Sequence, residues 1–316
     1  MPRRAIVLMN LGGPDSPAAV RPFLVNLFSD PAIISLPAPL RWLLARLIAW
    51  RRAKVAQDIY DHLGGSSPLL ANTEAQGQAL EATLGDGSRC FVAMRYWHPL
   101  TRATIAAVKA WGPDEIVCLP LYPQFSTTTT GSSLAIWRRE AAKAGLEYPT
   151  KEIQNYPTAP GFIAALVGLI GPVLDEAMKS TNGIRLLLSA HGLPLKIVRA
   201  GDPYPEQIEE TAAAVVAALD QPGLDAVVCY QSRVGPLAWL GPATDDEIRR
   251  AGREGVALIV APISFVSEHS ETLVELDHDY RGLAKASGVP AYYRVPTVST
   301  DPRFIAALAE LVETAG

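Results

Sequence analysis

Residues Ala257–Asp279 read ALIVAPISFVSEHSETLVELDHD. The stretch Ala257 to Ile263 is apolar, of strand length, and closed by Gly255 on one side. It runs straight into a segment with helical period, so the reading is a buried strand leading into a helix. Glu268, Glu271, Glu275 and His278 are spaced by three, four and three residues, which predicts that they stack on one helix face. Leu273, Leu276, Tyr280 and Leu283 form the opposite, core-facing stripe. Like charges at such spacings repel, so the stripe either faces open solvent or holds a cation or a proton.

Upstream, Ile184–Ala190 (IRLLLSA) is a second apolar run of strand length, and it ends at His191 in the string SAHGLP. Gly192 and Pro194 break the chain just beyond, which leaves the imidazole at the carboxyl end of a strand. Ligands of open parallel sheets bind beyond those ends. If the two strands share a sheet, His191 and Glu271 point into one crevice, where they are suited to metal or proton chemistry.

The same alternation runs through the chain. Strand-like runs fall at Arg4–Asn10, Arg89–Met94, Glu115–Pro120, Ile184–Ala190, Ala226–Gln231, Ala257–Ile263 and Ala291–Val295. Amphipathic windows lie between them at Glu74–Thr83, Ser132–Ala144, Pro160–Met178, Pro205–Leu219 and Pro302–Glu313. Strand and helix in turn predict an α/β fold, two doubly wound parallel-sheet domains with helices on both faces. A seam at NYPTAPG (Asn155–Gly161) divides residues 1–160 from 161–316, with the helix at 302–314 packing back on the first domain. LPLYPQFSTTTTGSSLAIWRR in one half and VAPISFVSEHSETLVELDHD in the other both run from strand through polar loop into helix. That likeness points to a duplication with a cleft between the copies.

At 316 residues, 49% hydrophobic and 19% charged, the chain has the composition of a folded globular protein. A net charge of −4 argues against nucleic acid as a partner. Cys90, Cys118 and Cys229 have no CxxC spacing and read as buried thiols in a reducing compartment. Ala5–Met9 is too short for a signal-peptide core, and no later window is expected to span a bilayer. Leu36–Arg52 (LPAPLRWLLARLIAWRR) mixes Trp42, Leu43, Leu47 and Trp50 with Arg41, Arg46, Arg51 and Arg52. It fits a membrane surface, a greasy pocket mouth or an ordinary packed helix. A GxGxxG fingerprint, a Walker loop and a GxSxG elbow are all absent, which excludes three common chemistries.

Several strand ends carry groups poorly explained as core. They are LMNLGGP (Leu8–Pro14), YDHLGGSSP from Tyr60, MRYWHP (Met94–Pro99), YPQFSTTTTGSS from Tyr122 and YQSRVGPLAWLGP from Tyr230. Together they describe an aromatic-rich crevice with a few cations, suited to a large, flat, partly anionic ligand. With SAHGLP, GDPYP and SEHSETLVELD, this series resembles the ferrochelatase family over nearly the whole chain and in the right order.

The resemblance implies two Rossmann-like domains with a porphyrin cleft between them, and insertion of ferrous iron into protoporphyrin IX to make haem. It implies His191 and Glu271 as the catalytic and metal-site pair, supported by Glu268, His269 and Glu275, with a π-bulged helix start. It also implies macrocycle contacts from Leu11, Tyr60, Arg95, Tyr96, Tyr122 and Trp239, and propionate contacts from Arg52, Ser67 and Ser126. Some relatives carry a 2Fe–2S cluster on a cysteine-rich extension. With no cysteine beyond Cys229, no cluster and no cofactor beyond the Fe2+ substrate are expected. The family's glycine-triplet loop is here Gly64, Gly65, Ser66. The expected protein is cytoplasmic, with peripheral membrane contact open, and a monomer or homodimer. A chelatase for coproporphyrin or sirohydrochlorin and a non-catalytic porphyrin carrier are the alternatives.

Overall fold

The computed structural model describes residues 3–181 and 183–315. The chain folds as two compact units. One runs through Asn155 and takes in the chain from Leu308, and the other is Tyr156–Ala307.

In order, the first unit holds β1 (Arg4–Asn10), α1 (Val20–Phe28), α2 (Ala38–Asp61), α3 (Leu69–Leu84), β2 (Ser88–Met94), α4 (Thr101–Trp111) and β3 (Glu115–Pro120). A π-helical turn, Thr127–Gly131, then leads into α5 (Ser132–Lys143), and β4 (Thr150–Glu152) closes the sheet. The strands are all parallel in the order β2-β1-β3-β4. Ile6 and Leu8 are as fully buried as Ala5 and Val7, because helices cover both faces of the sheet. Trp137 of α5 and Ile105 of α4 pack on Val7, Met9 and Phe91. On the other face α3 comes close at Gly77, where an added Cβ would stand 3.1 Å from Leu8.

The second unit repeats the plan. It comprises α6 (Pro160–Ser180), β5 (Ile184–His191), α7 (Leu195–Val198), α8 (Tyr204–Leu219), β6 (Asp225–Gln231), α9 (Thr244–Glu254) and β7 (Ala257–Pro262). A π-helix, Glu271–Tyr280, continues into α10 (Arg281–Ala286), followed by β8 (Tyr292–Arg294) and the start of α11 (Pro302–Thr314). Its parallel strands run β6-β5-β7-β8, the same order as in the first sheet. Register makes the correspondence specific. Asn10 lies opposite Met94 as His191 lies opposite Gln231. In both units a π-helical segment follows the third strand. The likeness of the two halves, weak as sequence, is plain in the topology.

Two expectations change and one takes a definite form. The helix Pro160–Ser180 is long and apolar enough by composition to cross a membrane. It packs against α8 and β7, with Phe162, Leu166, Ile170 and Leu174 buried. The segment around 36–52 belongs to a longer helix, α2, which buries small residues, Ala45 and Ala49. α2 thus packs on α1 by one face, as an ordinary packed helix does, while Leu40, Trp42, Leu43, Leu47 and Trp50 project outward, Trp50 at 63% exposure. Finally, Glu268 is not on the helix that carries Glu271, because the loop after β7 persists through His269.

Candidate active site

β5 and β7 are direct neighbours. β5 pairs with β6 on its other side, so the chain order reverses between β5 and β7. That reversal is the topological switch point at which open sheets bind ligands. His191 is the last residue of β5, and Glu271 opens the π-helix beyond β7. His191 Nδ1 stands 2.8 Å from Glu271 Oε2. His191 is held at its backbone from two sides. Its N–H donates to Ser264 Oγ at 3.0 Å, and its carbonyl accepts from the Tyr204 hydroxyl at 3.0 Å. Gly192 turns the chain away beneath Trp239, and an added Cβ there would meet the Gln231 carbonyl at 2.8 Å.

The other polar candidates separate into two groups. Glu275, one turn on from Glu271, takes hydrogen bonds from the Ser232 N–H (2.8 Å), the Tyr280 hydroxyl (3.0 Å) and Gln231 Nε2 (3.1 Å). His269 Nε2 lies 3.8 Å from Glu271 Oε2, while its Nδ1 is 3.0 Å from the Ser267 carbonyl. Phe265 packs against both imidazoles. Glu268 stands apart. Its Oε1 accepts from Arg294 Nη1 at 2.6 Å and from the Thr297 N–H at 2.9 Å. His278 is exposed and pairs with Asp279. The predicted four-residue stripe is therefore only Glu271 and Glu275. A helix that starts after residue 269 and winds with i→i+5 bonding leaves the other two off the face.

Electrostatics sorts the carboxyls. Burial works against charge on Glu271, yet the neighbouring His191, and then His269, hold it well below the ordinary 4.5. Glu275 is pushed up by burial and by the charge of Glu271, against hydrogen bonds from Ser232 and Tyr280. Burial also lowers His191, but Glu271 outweighs it and holds the imidazole above the ordinary 6.5. Two carboxyls driven in opposite directions beside a histidine form an arrangement suited to proton transfer. Among the described residues, no three His, Cys, Asp or Glu side chains form a closed metal cage.

Of the residues expected to meet a large ligand, Trp239 is half-buried in the second unit beside Gly192. The rest lie in the first unit. Leu11, Tyr60 and Tyr96 share one apolar cluster. Tyr96 is only 1% exposed and donates its hydroxyl to Asp30, so it supports that cluster and has no surface to offer a ligand. Arg95 is likewise engaged, with Nη2 on Asp30 at 2.6 Å and Nε on Ser132 Oγ at 2.8 Å. Ser126 is buried as the cap of the π-helical turn, and its hydroxyl accepts from the Thr128 N–H. Ser67 Oγ accepts from the Leu69 N–H at 3.3 Å. Tyr122 and Arg52 are half-buried, and burial pushes the tyrosine up and the arginine down. Sequence reasoning passed over Ser232, Gln231, Tyr280 and Arg294. Ser232 could have been found by the rule that found His191, since it too follows directly on a strand's carboxyl end.

The ferrochelatase family model matches residues 3–315. A ferrochelatase of Caulobacter vibrioides is 55% identical over 313 residues, covering 98% of this chain and 89% of that protein. One of Phenylobacterium zucineum is 57% identical over 311 residues, covering 97% and 89%. Among solved structures, SirB from Bacillus subtilis with Fe3+ superposes with a TM-score of 0.60 at 13% identity, covering 99% of this chain and 96% of that one. The sirohydrochlorin chelatase SirB of subspecies spizizenii, in complex with cobalt, gives 0.58 at 12%, covering 99% and 95%. At such identities these two describe a shared fold.

Proposed function

The chain belongs to the ferrochelatase family, and from that premise we propose that it inserts ferrous iron into protoporphyrin IX, forming protohaem and releasing two pyrrole protons. The iron is a substrate here, and the enzyme is a metal-inserting lyase.

The observation that carries the reading is the contact between His191 Nδ1 and Glu271 Oε2 at the switch point of the second sheet. With the Nδ1 proton donated to Glu271, the Nε2 lone pair is left to accept a pyrrole proton. The imidazolium so formed is stabilised by the carboxylate it already touches. Glu271 also offers an oxygen ligand to the incoming iron, and His269 and Glu275 support it. Glu268 supports from further off, by anchoring the loop through Arg294. A site that holds the macrocycle bent exposes the ring-nitrogen lone pairs to the metal, and remote contacts supply that strain. We assign such contacts to Leu11, Tyr60, Arg95, Tyr122 and Trp239, with Arg52 and Ser67 toward the propionates.

We assign no 2Fe–2S cluster to this chain. Such a cluster needs four ligands at one point, whereas the three cysteines, Cys90, Cys118 and Cys229, lie within three separate strands, β2, β3 and β6. Stoichiometric acid-labile sulfide in purified protein would overturn this.

The test of the activity is anaerobic incubation with ferrous iron and protoporphyrin, followed by visible absorption, beside His191→Ala. Metalloporphyrin bands from the wild type and none from the variant are expected. A wild type that binds protoporphyrin without metallating it, yet metallates coproporphyrin, would replace the substrate.

A further inference from the structure

Ser232 is the first residue after β6, and its φ of +61° lies in the left-handed region that glycine enters freely and serine does not. Three contacts use that conformation. The N–H donates to Glu275 Oε1 at 2.8 Å, and the hydroxyl stands 2.5 Å from Glu275 Oε2 and 3.2 Å from Glu271 Oε2. One hydroxyl thus bridges the two carboxyl groups whose ionisation is driven apart. Gln231 braces the bridge, with Nε2 on the Glu271 carbonyl (2.9 Å) and Oε1 accepting from Ser189 Oγ (2.8 Å).

The fold alone does not call for this. By register, Arg95 occupies the corresponding position of the first sheet, and it too reaches the helix after the third strand, at Ser132. Tying the end of the second strand to that helix is common to both units. Directing the tie onto two carboxyl groups beside a histidine occurs in the second.

We propose that Ser232 is a positioning residue, whose hydroxyl sets the separation of Glu271 and Glu275 and keeps Glu271 Oε2 on His191 Nδ1. The inference rests on the reading of His191 and Glu271 as the reacting pair. Ser232 acts through the carboxyls, and loss of such supporting partners at metal sites typically costs about 10–100-fold.

Ser232→Gly separates structure from function, because it relieves the backbone and deletes the hydroxyl together. The expected variant unfolds at or above the wild-type temperature, with kcat down about 10–100-fold and porphyrin KM unchanged. Its crystal structure should show the Glu271 carboxylate turned off His191. Asp220→Gly, which relieves the same kind of backbone at the C-terminal end of α8, should keep wild-type kinetics. Wild-type turnover in Ser232→Gly overturns the proposal. So does a crystal structure of it that retains the His191–Glu271 contact, and that readout stands even if no metal insertion is seen in the wild type.

Discussion

His191 Nδ1 and Glu271 Oε2 are 2.8 Å apart although 80 residues separate them in the chain. One ends β5, the other begins the helix after β7, and the direct pairing of those strands brings them together. Both side chains stay partly open, at 41% and 29% exposure, so the pair is reachable by substrate and screened by solvent.

That pair sets a pH window. Glu271 is depressed below 4.5 in the folded protein, so its stabilisation is present above that value and lost as pH falls through the folded value. His191 is raised above 6.5, so its contribution is complete below 6.5 and lost as pH rises through the folded value. Glu271→Gln should therefore cost most between roughly pH 4.5 and 6.5, by about 1 kcal/mol or less for so exposed a pair. It should also move the His191 titration to lower pH, read by NMR of labelled histidine with His191→Asn for assignment. An unmoved titration refutes the electrostatic account.

Gly192→Ala tests the turn behind the histidine. The new Cβ would meet a backbone oxygen at 2.8 Å and the Trp239 ring at 3.3 Å, and the oxygen belongs to a paired strand. A loss of about 1–3 kcal/mol in chemical denaturation is expected, with turnover falling further than stability accounts for. Wild-type behaviour would mean that the turn yields freely.

Arg294 holds Glu268 at 2.6 Å and Asp277 at 2.7 Å with its side chain only 11% exposed. Arg294→Met leaves two partly buried carboxylates without their cation. Destabilisation of about 3 kcal/mol is expected at neutral pH, shrinking as acid protonates the carboxyls. A loss independent of pH would place the cause in packing.

The outward face of α2 offers a surface for lipid. Trp42, Leu43, Leu47 and Trp50 are exposed among arginines, and Arg46 stacks 4.1 Å over the Trp42 ring. The wild type should co-float with anionic vesicles at low salt, and Leu43→Glu/Trp50→Glu should stay in the soluble fraction at unchanged stability. A wild type that never floats removes the membrane contact.

Much of this site was legible one strand end at a time. Apolar runs closed by Gly and Pro placed His191 within one residue of where β5 stops. The same logic reaches Ser232 as a strand-end position but not its role, which depends on partners 39 and 43 residues away. It also failed at Glu268, because helical spacing counts residues as though the helix had already begun. Tyr96 shows the converse error. A strand-end aromatic reads as a ligand contact until Asp30, 66 residues distant, is found beneath its hydroxyl.

Local periodicity and chain-breaking residues are enough to read the alternation of strand and helix and to make candidates of His191 and Glu271. Which carboxyl meets the histidine and which is tied to Arg294 follows from the folded arrangement alone. Strand order sets where the strand ends converge, and hydrogen bonds act over about 3 Å, a precision that spacing along a chain does not carry.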